Sequence, residues 1–257
     1  MFGVTVREFG ARCGLAATAL LAASLAATGP AAAQTFDADD RAEIEQIVHD
    51  YLLDHPEVIV DAINVLQARQ DEAARAAQQS ALEERGDEIF RSPASPFMGE
   101  ADGDVVLVEF FDYQCGYCAR MLDDVFALSD EDDALRVVFK ELPILGPAST
   151  LASQVALASR LQDEAVYVPL HNALMSYEGP LNEEVIFSIA GQFDLDLDRL
   201  RDDMDDPQVV GEIQANLRLA DALGIRGTPA FAIGEQLIPG AVGIEVLRQL
   251  VDQQRSG

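Results

Sequence analysis

Tryptophan is absent from the 257 residues, cysteine and histidine occur three times each, and 17 Lys and Arg stand against 45 Asp and Glu. Each shortage closes off a class of function. With a formal net charge of −28, the chain offers no basic surface for nucleic acid or an anionic bilayer. Nucleic acid is therefore not an expected partner, and the acidity serves solubility. His49, His55 and His171 show no spacing that would complete a structural zinc site with cysteine, which needs four ligands. No metal site is expected. Beyond residue 27 no run is apolar enough to cross a bilayer.

The cysteines themselves divide. Cys13 lies in a segment with Arg7 and Arg12 ahead of a short apolar stretch (15–27) and Ala31-Ala32-Ala33 before Gln34. A basic start, a short apolar middle and small residues at the end describe a secretory signal peptide, residues 1–33, cut after about Ala33. Cys13 lacks the small-residue surroundings of a lipoprotein cysteine and leaves with the signal. The expected location is the periplasm. What remains is one pair, Cys115 and Cys118, in the run Cys115-Gly116-Tyr117-Cys118. An exported protein of this size is not stapled by one disulfide that closes so short a loop.

Position gives the pair its chemistry. It follows the apolar run Val105–Phe111, read as a strand, and opens an amphipathic stretch ending near Leu128, read as a helix. At a helix N-terminus, free backbone N–H groups and the macrodipole favour an anionic sulfur, the species that attacks disulfides. Cys115 is the expected exposed nucleophile and Cys118 the shielded resolving thiol. Met121, Leu122, Val125 and Phe126 carry core spacing on that helix, and Tyr113 and Tyr117 flank the motif.

The remainder of the chain falls into an arm and a domain. Residues 36–91 read as helix broken near Asp54-His55-Pro56, with Asp54 and Glu57 placed as a capping box. Ile44, Ile47, Val48, Tyr51 and Leu52 form one apolar stripe, and Val58, Ile59, Ala62, Ile63 and Leu66 another. A narrow stripe on a slender arm points to self-association, so a homo-oligomer through residues 36–91 is expected. Residues 92–96 (Ser-Pro-Ala-Ser-Pro) read as a hinge-like linker. In 92–257, strands at 105–111 and 135–142 precede a helical block of about 143–224. A hairpin through Gly234-Glu235 and a last helix carrying Ile244, Leu247, Leu250 and Val251 complete an α/β order.

The stretch Val-Glu-Phe-Phe-Asp-Tyr-Gln-Cys-Gly-Tyr-Cys, the later Gly227-Thr228-Pro229 and the helical block between them resemble the DsbA family of thioredoxin-fold thiol–disulfide oxidoreductases. The arm resembles the oligomerising segment of its Com1-like and ScsC-like branch. The resemblance implies a thioredoxin fold with a helical insertion domain, preceded by an N-terminal helical arm. It also implies a redox-active disulfide Cys115–Cys118 with no other cofactor. Thr228 and Pro229 would form a cis-proline loop facing the cysteines and binding client backbone. Glu109, a lone acid in its strand, would be a buried carboxyl paired with Lys140 on the next strand, relaying protons and tuning the thiols. Clients would be exported proteins with cysteines, and a membrane redox partner would recharge the pair. Threonine before the proline, with Gly116 and Tyr117 between the cysteines and no cation there, resembles isomerases more than strong oxidases. The activity implied is that of a protein-disulfide oxidoreductase or isomerase. Two other readings stand beside it: a Cu(I)-handling thiol protein of the copper-tolerance type, given the softness of two thiolates, and a binding module worked by the arm. His171 reads as a helix-surface residue.

Overall fold

The computed structural model describes residues 37–256; the signal-peptide reading of residues 1–33 lies outside them, as do Phe36 and Gly257 at the ends of the expected segments. The chain divides into two compact units at Asp61 and Ala62.

In the first unit, α1 (Ala38–Asp54) starts at Asp37, whose carboxylate accepts from the N–H groups of Asp39 and Asp40. Asp40 returns a bond to the Asp37 N–H at 3.1 Å, a reciprocal cap that satisfies donors the helix cannot. The cap expected at Asp54 does not form. Asp54 is the last residue of α1, His55 closes that helix through Tyr51 O, and α2 (Glu57–Glu84) starts after Pro56. No residue of α1 is buried, and Ile44, Ile47, Val48 and Tyr51 all face outward.

The second unit takes up the rest of α2, then α3 (Gly86–Phe90), β1 (Phe97–Gly99), β2 (Val105–Phe111), α4 (Gly116–Glu131) and β3 (Leu135–Glu141). The helical insertion follows: α5 (Pro147–Ser159), α6 (Tyr167–Met175), α7 (Glu183–Ala190), α8 (Leu197–Asp203) and α9 (Pro207–Ala222). β4 (Ala230–Ile233), β5 (Gln236–Pro239) and α10 (Ile244–Ser256) end it. The sheet order is β1-β3-β2-β4-β5, with β2 and β3 parallel and the other pairs antiparallel. A parallel pair needs a crossover, and α4 supplies it. Both faces of the sheet are covered, which explains the nearly unbroken apolar run in β2. Leu107, Phe111, Val137 and Phe139 join the core shared with α4, α10 and the insertion, while Val108, Phe110 and Val138 pack with Leu82, Ile89, Leu219 and Leu223.

Residues 92–96 are not a free hinge. Ser95 is 2% exposed, Pro96 O accepts the Phe139 N–H at 2.9 Å, and the segment leads into β1, a short strand the sequence did not suggest. Ile89 is fully buried, so the end of the expected arm is part of the packed unit.

Candidate functional site

Cys115 is the N-cap of α4, where the strand β2 has just ended. Its N–H donates to Asp112 O at 2.9 Å and its carbonyl accepts from Ala119 at 3.0 Å, so the backbone enters the helix at the sulfur. Both cysteines are free thiols here. Cys115 is 6% exposed and Cys118 1%. The expectation of an exposed nucleophile is not met: Cys115 is buried as Cys118 is, with the loop before β4 against its sulfur. Thr228-Pro229 is a cis peptide, and Thr228 O accepts the Cys115 Sγ–H at 3.1 Å. The fold thus brings the two motifs together across 113 residues.

Glu109 lies on β2 opposite Phe139 and Phe231 and is 5% exposed. Among the described residues its carboxyl has no hydrogen-bond or ion-pair partner, and burial pushes its pKa up to about 8. The Cys118 thiol is pushed well above its ordinary value, first by burial and then by the charge of Glu109. Charge on the acid and charge on the inner sulfur therefore oppose one another.

Lys140 is not its partner. The parallel register sets Lys140 opposite Phe110, and adjacent strand residues point to opposite faces. Lys140 Nζ instead donates to Glu88 O and Ser95 Oγ, each at 2.7 Å, and lies 3.9 Å from Glu212 Oε1. Ser95 Oγ donates to the same carboxylate oxygen at 2.6 Å. Burial lowers the lysine pKa, opposed by Glu212 and Glu88. This cation pins α3, the 92–96 segment and α9 to the back of the sheet, away from the thiols.

A Cβ at Gly116 would meet only Arg120 Nη1, at 3.8 Å. Tyr117 is 59% exposed, with the Arg120 guanidinium 4.2 Å over its ring, so a cation does stand one turn into the helix. Among the described residues, no group of three or more His, Cys, Asp or Glu is placed to hold a metal ion.

Two buried polar assemblies behind the cysteines were not foreseen. Asp112, fully buried, accepts from the N–H groups of Gln114, Ile144 and Leu145 and from Ser149 Oγ at 2.6–2.9 Å. Glu141, also fully buried, accepts from Tyr113 Oη at 3.1 Å, Tyr167 Oη at 2.8 Å and Ser153 Oγ at 2.7 Å, and burial lifts its pKa to about 8. His171 is no surface residue. It is 1% exposed, with Nδ1 3.2 Å from Tyr113 Oη, its ring ringed by Phe111, Phe139 and Tyr167, and burial lowers its pKa to about 3. The signal was present: Tyr167, Leu170, His171 and Leu174 occupy one helical stripe, all buried.

Two families match the sequence, "DSBA-like thioredoxin domain" over residues 106–252 and "Copper resistance protein ScsC N-terminal domain" over residues 40–73. Among solved structures, a thioredoxin-like oxidoreductase from Silicibacter pomeroyi DSS-3 is 41% identical with a TM-score of 0.64, covering 66% of this chain and 98% of that one. The thiol-disulfide exchange protein alpha-DsbA2 from Wolbachia pipientis is 32% identical with a TM-score of 0.65, covering 70% and 97%. Proteus mirabilis ScsC in a transitional conformation is 31% identical with a TM-score of 0.64, covering 86% and 97%. Among curated proteins, Na(+)/H(+) antiporter NhaA 1 of Salinispora arenicola (strain CNS-205) is 28% identical over 161 residues, 62% of this chain. The chain spans about a quarter of the length of such antiporters, 24% in that case. No helix among the described residues is long and apolar enough to cross a membrane.

Proposed function

The chain belongs to the DSBA-like thioredoxin-domain family, and from that premise we propose that it exchanges disulfides with cysteine-containing exported proteins in the periplasm, acting as an oxidoreductase or isomerase. The observation that carries the reading is the placement of Cys115 Sγ at the mouth of α4, 3.1 Å from Thr228 O, with Cys118 buried behind it. In the oxidising direction a client thiolate attacks Cys115 Sγ. The Cys115–Cys118 bond breaks, a client–Cys115 bond forms, and the electron pair leaves on Cys118. Glu109, protonated near neutral pH, supplies the proton that the buried Cys118 requires. A second client thiolate then displaces Cys115; the client is oxidised by two electrons and the pair is left reduced. The reverse sequence reduces a client disulfide, and alternation of the two isomerises. Thr228, once its carbonyl is released from the Cys115 thiol, is placed to bond an extended client backbone. A membrane redox partner restores the pair, and no cofactor beyond the disulfide takes part.

Reactivation of scrambled ribonuclease and reduction of insulin test this. Cys115→Ser should abolish both, and Cys118→Ser should accumulate client joined to Cys115. Turnover retained in Cys115→Ser overturns the reading.

The exposed stripe of α1 supports self-association through the arm. Light scattering on the full chain should give a multiple of its mass. Ile44→Asp with Ile47→Asp and Tyr51→Asp should reduce it to one chain, and a monomeric parent ends the idea. A second reading, Cu(I) held by Cys115 and Cys118, is favoured by the match of residues 40–73 to a copper-resistance N-terminal domain. Copper retained by the reduced chain without exchange turnover would select it.

A further inference from the structure

The helix that feeds the Thr228-Pro229 loop is closed by a side chain from elsewhere. α9 ends at Ala222, Leu223 is its C-cap, and Gly224 turns the chain with φ +70°. The last carbonyls of a helix lack intrahelical donors. Asp221 O and Ala220 O are met locally, by Gly224 N–H at 3.1 Å and Ile225 N–H at 2.8 Å. Leu223 O is met by Gln78 Nε2, from α2, at 2.9 Å in a partly buried setting. Gln78 stands 145 residues earlier in the chain and beyond the stretch 40–73 matched to the ScsC N-terminal domain.

Between that bond and the reactive sulfur lie a few residues. Leu223 leads through 224–227 to Thr228, whose carbonyl holds the Cys115 thiol. The downstream end of the loop is fixed by the sheet, where Gly240 N–H donates to Pro229 O at 2.8 Å and Ala230 pairs with Pro239. Behind the loop is a cavity of about 340 Å³, lined among others by Gln78, Ile225, Thr228, Pro229, Leu237 and Pro239. At the upstream end Leu223 and Ile225 sit in the core, and Gln78 adds a hydrogen bond to it from α2.

We infer that Gln78 is a positioning residue for disulfide exchange, holding the upstream end of the Thr228-Pro229 loop where a client backbone and the Cys115 sulfur must both meet it. The inference rests on the exchange activity proposed above and gives α2 a part in it. Gln78 touches neither sulfur nor client. Its effect belongs in the binding of extended clients, which need the loop edge, and not in reactions of small disulfides, which need only the sulfur.

The test uses the full chain and two substitutions. Gln78→Glu keeps the shape, removes the donor and turns an oxygen toward Leu223 O, whereas Gln78→Lys restores an N–H donor of similar reach. For scrambled ribonuclease, Gln78→Glu should raise KM about threefold to tenfold, the loss expected for one side-chain to backbone hydrogen bond. Its kcat should change by less than about twofold. The reduced protein should react with 5,5′-dithiobis(2-nitrobenzoate) at the parent rate, and Gln78→Lys should stay close to the parent in every measure. Gln78→Leu, which removes the donor without adding charge, carries the same expectation as Gln78→Glu should that variant fold poorly. An unchanged KM in both donor-less variants overturns the inference. So does an equal loss with the small disulfide, or a Gln78→Lys variant as impaired as Gln78→Glu. A parent protein that reacts with the small disulfide yet turns over no client removes the exchange reading itself, and this inference with it.

Discussion

Replacing Glu109 by Gln should stabilise the reduced protein, by an amount that grows with pH. The carboxyl has an ordinary pKa of 4.5, and burial lifts it to about 8 in the fold. Between those values the unfolded chain has released its proton while the folded chain retains it. The folded state then binds more protons, so stability falls as pH rises. The favourable contribution is complete below about pH 4.5 and fades until about pH 8. At pH 7 the linkage cost comes to about 3 kcal/mol, and at pH 5 to under about 1 kcal/mol. Glutamine has the same shape and no charge to bury, although its amide lacks partners and returns about 1 kcal/mol of the gain. The net expectation at pH 7 is about 2 kcal/mol, or roughly 4–8 °C in Tm for a chain of this size. Urea unfolding of parent and variant with the thiols kept reduced, at pH 5, 6, 7 and 8, measures it. Glu141 titrates in the same direction but is present in both proteins, so the difference isolates Glu109. Parallel stability profiles across that range would refute the reasoning, since they would mean the carboxyl ionises alike in folded and unfolded chains.

Lys140→Met should cost about 3–5 kcal/mol by leaving Glu212 buried without its cation, and adding Glu212→Gln should recover much of that in chemical unfolding. The pH profile of client oxidation should be unmoved by Lys140→Met and moved by Glu109→Gln, because they sit on opposite faces of the sheet. His171 is held neutral in the fold, with its pKa lowered from 6.5 to about 3, so the unfolded chain takes up a proton first and stability falls as pH drops below about 6.5. Acid unfolding of His171→Phe should shift to lower pH; an unshifted midpoint would place the titration elsewhere.

Local signals made the cysteine site legible. An apolar strand running straight into C-x-x-C, with Met121, Leu122 and Val125 at helical spacing, leaves few other structures, and β2 and α4 occupy those spans. The meeting of Cys115 with Thr228 was not in any periodicity and came from family resemblance. Glu109 and Lys140 show what one sequence withholds. Each is a lone charge in an apolar strand, but which face each takes depends on register between strands, and a shift of one residue reverses it. Asp112 and Glu141 drew no reading from the sequence because nothing local marks the donors that loops and insertion bring to them. The burial of His171 is legible in its pattern, since Tyr167, Leu170 and Leu174 on the same stripe are all core residues.

The carboxylate of Asp112 has one more consequence. It gathers the backbone that leaves β2, the loop that leaves β3 and, through Ser149, the first turn of α5, while Gln114 Nε2 grips the same serine at 2.9 Å. The insertion is therefore bolted to the residue next to the sulfur rather than perched on the sheet as a passenger. Sequence drift in that helical block will be felt at the reactive thiol, so relatives with divergent insertions should differ in their thiol chemistry even where the four-residue motif is identical.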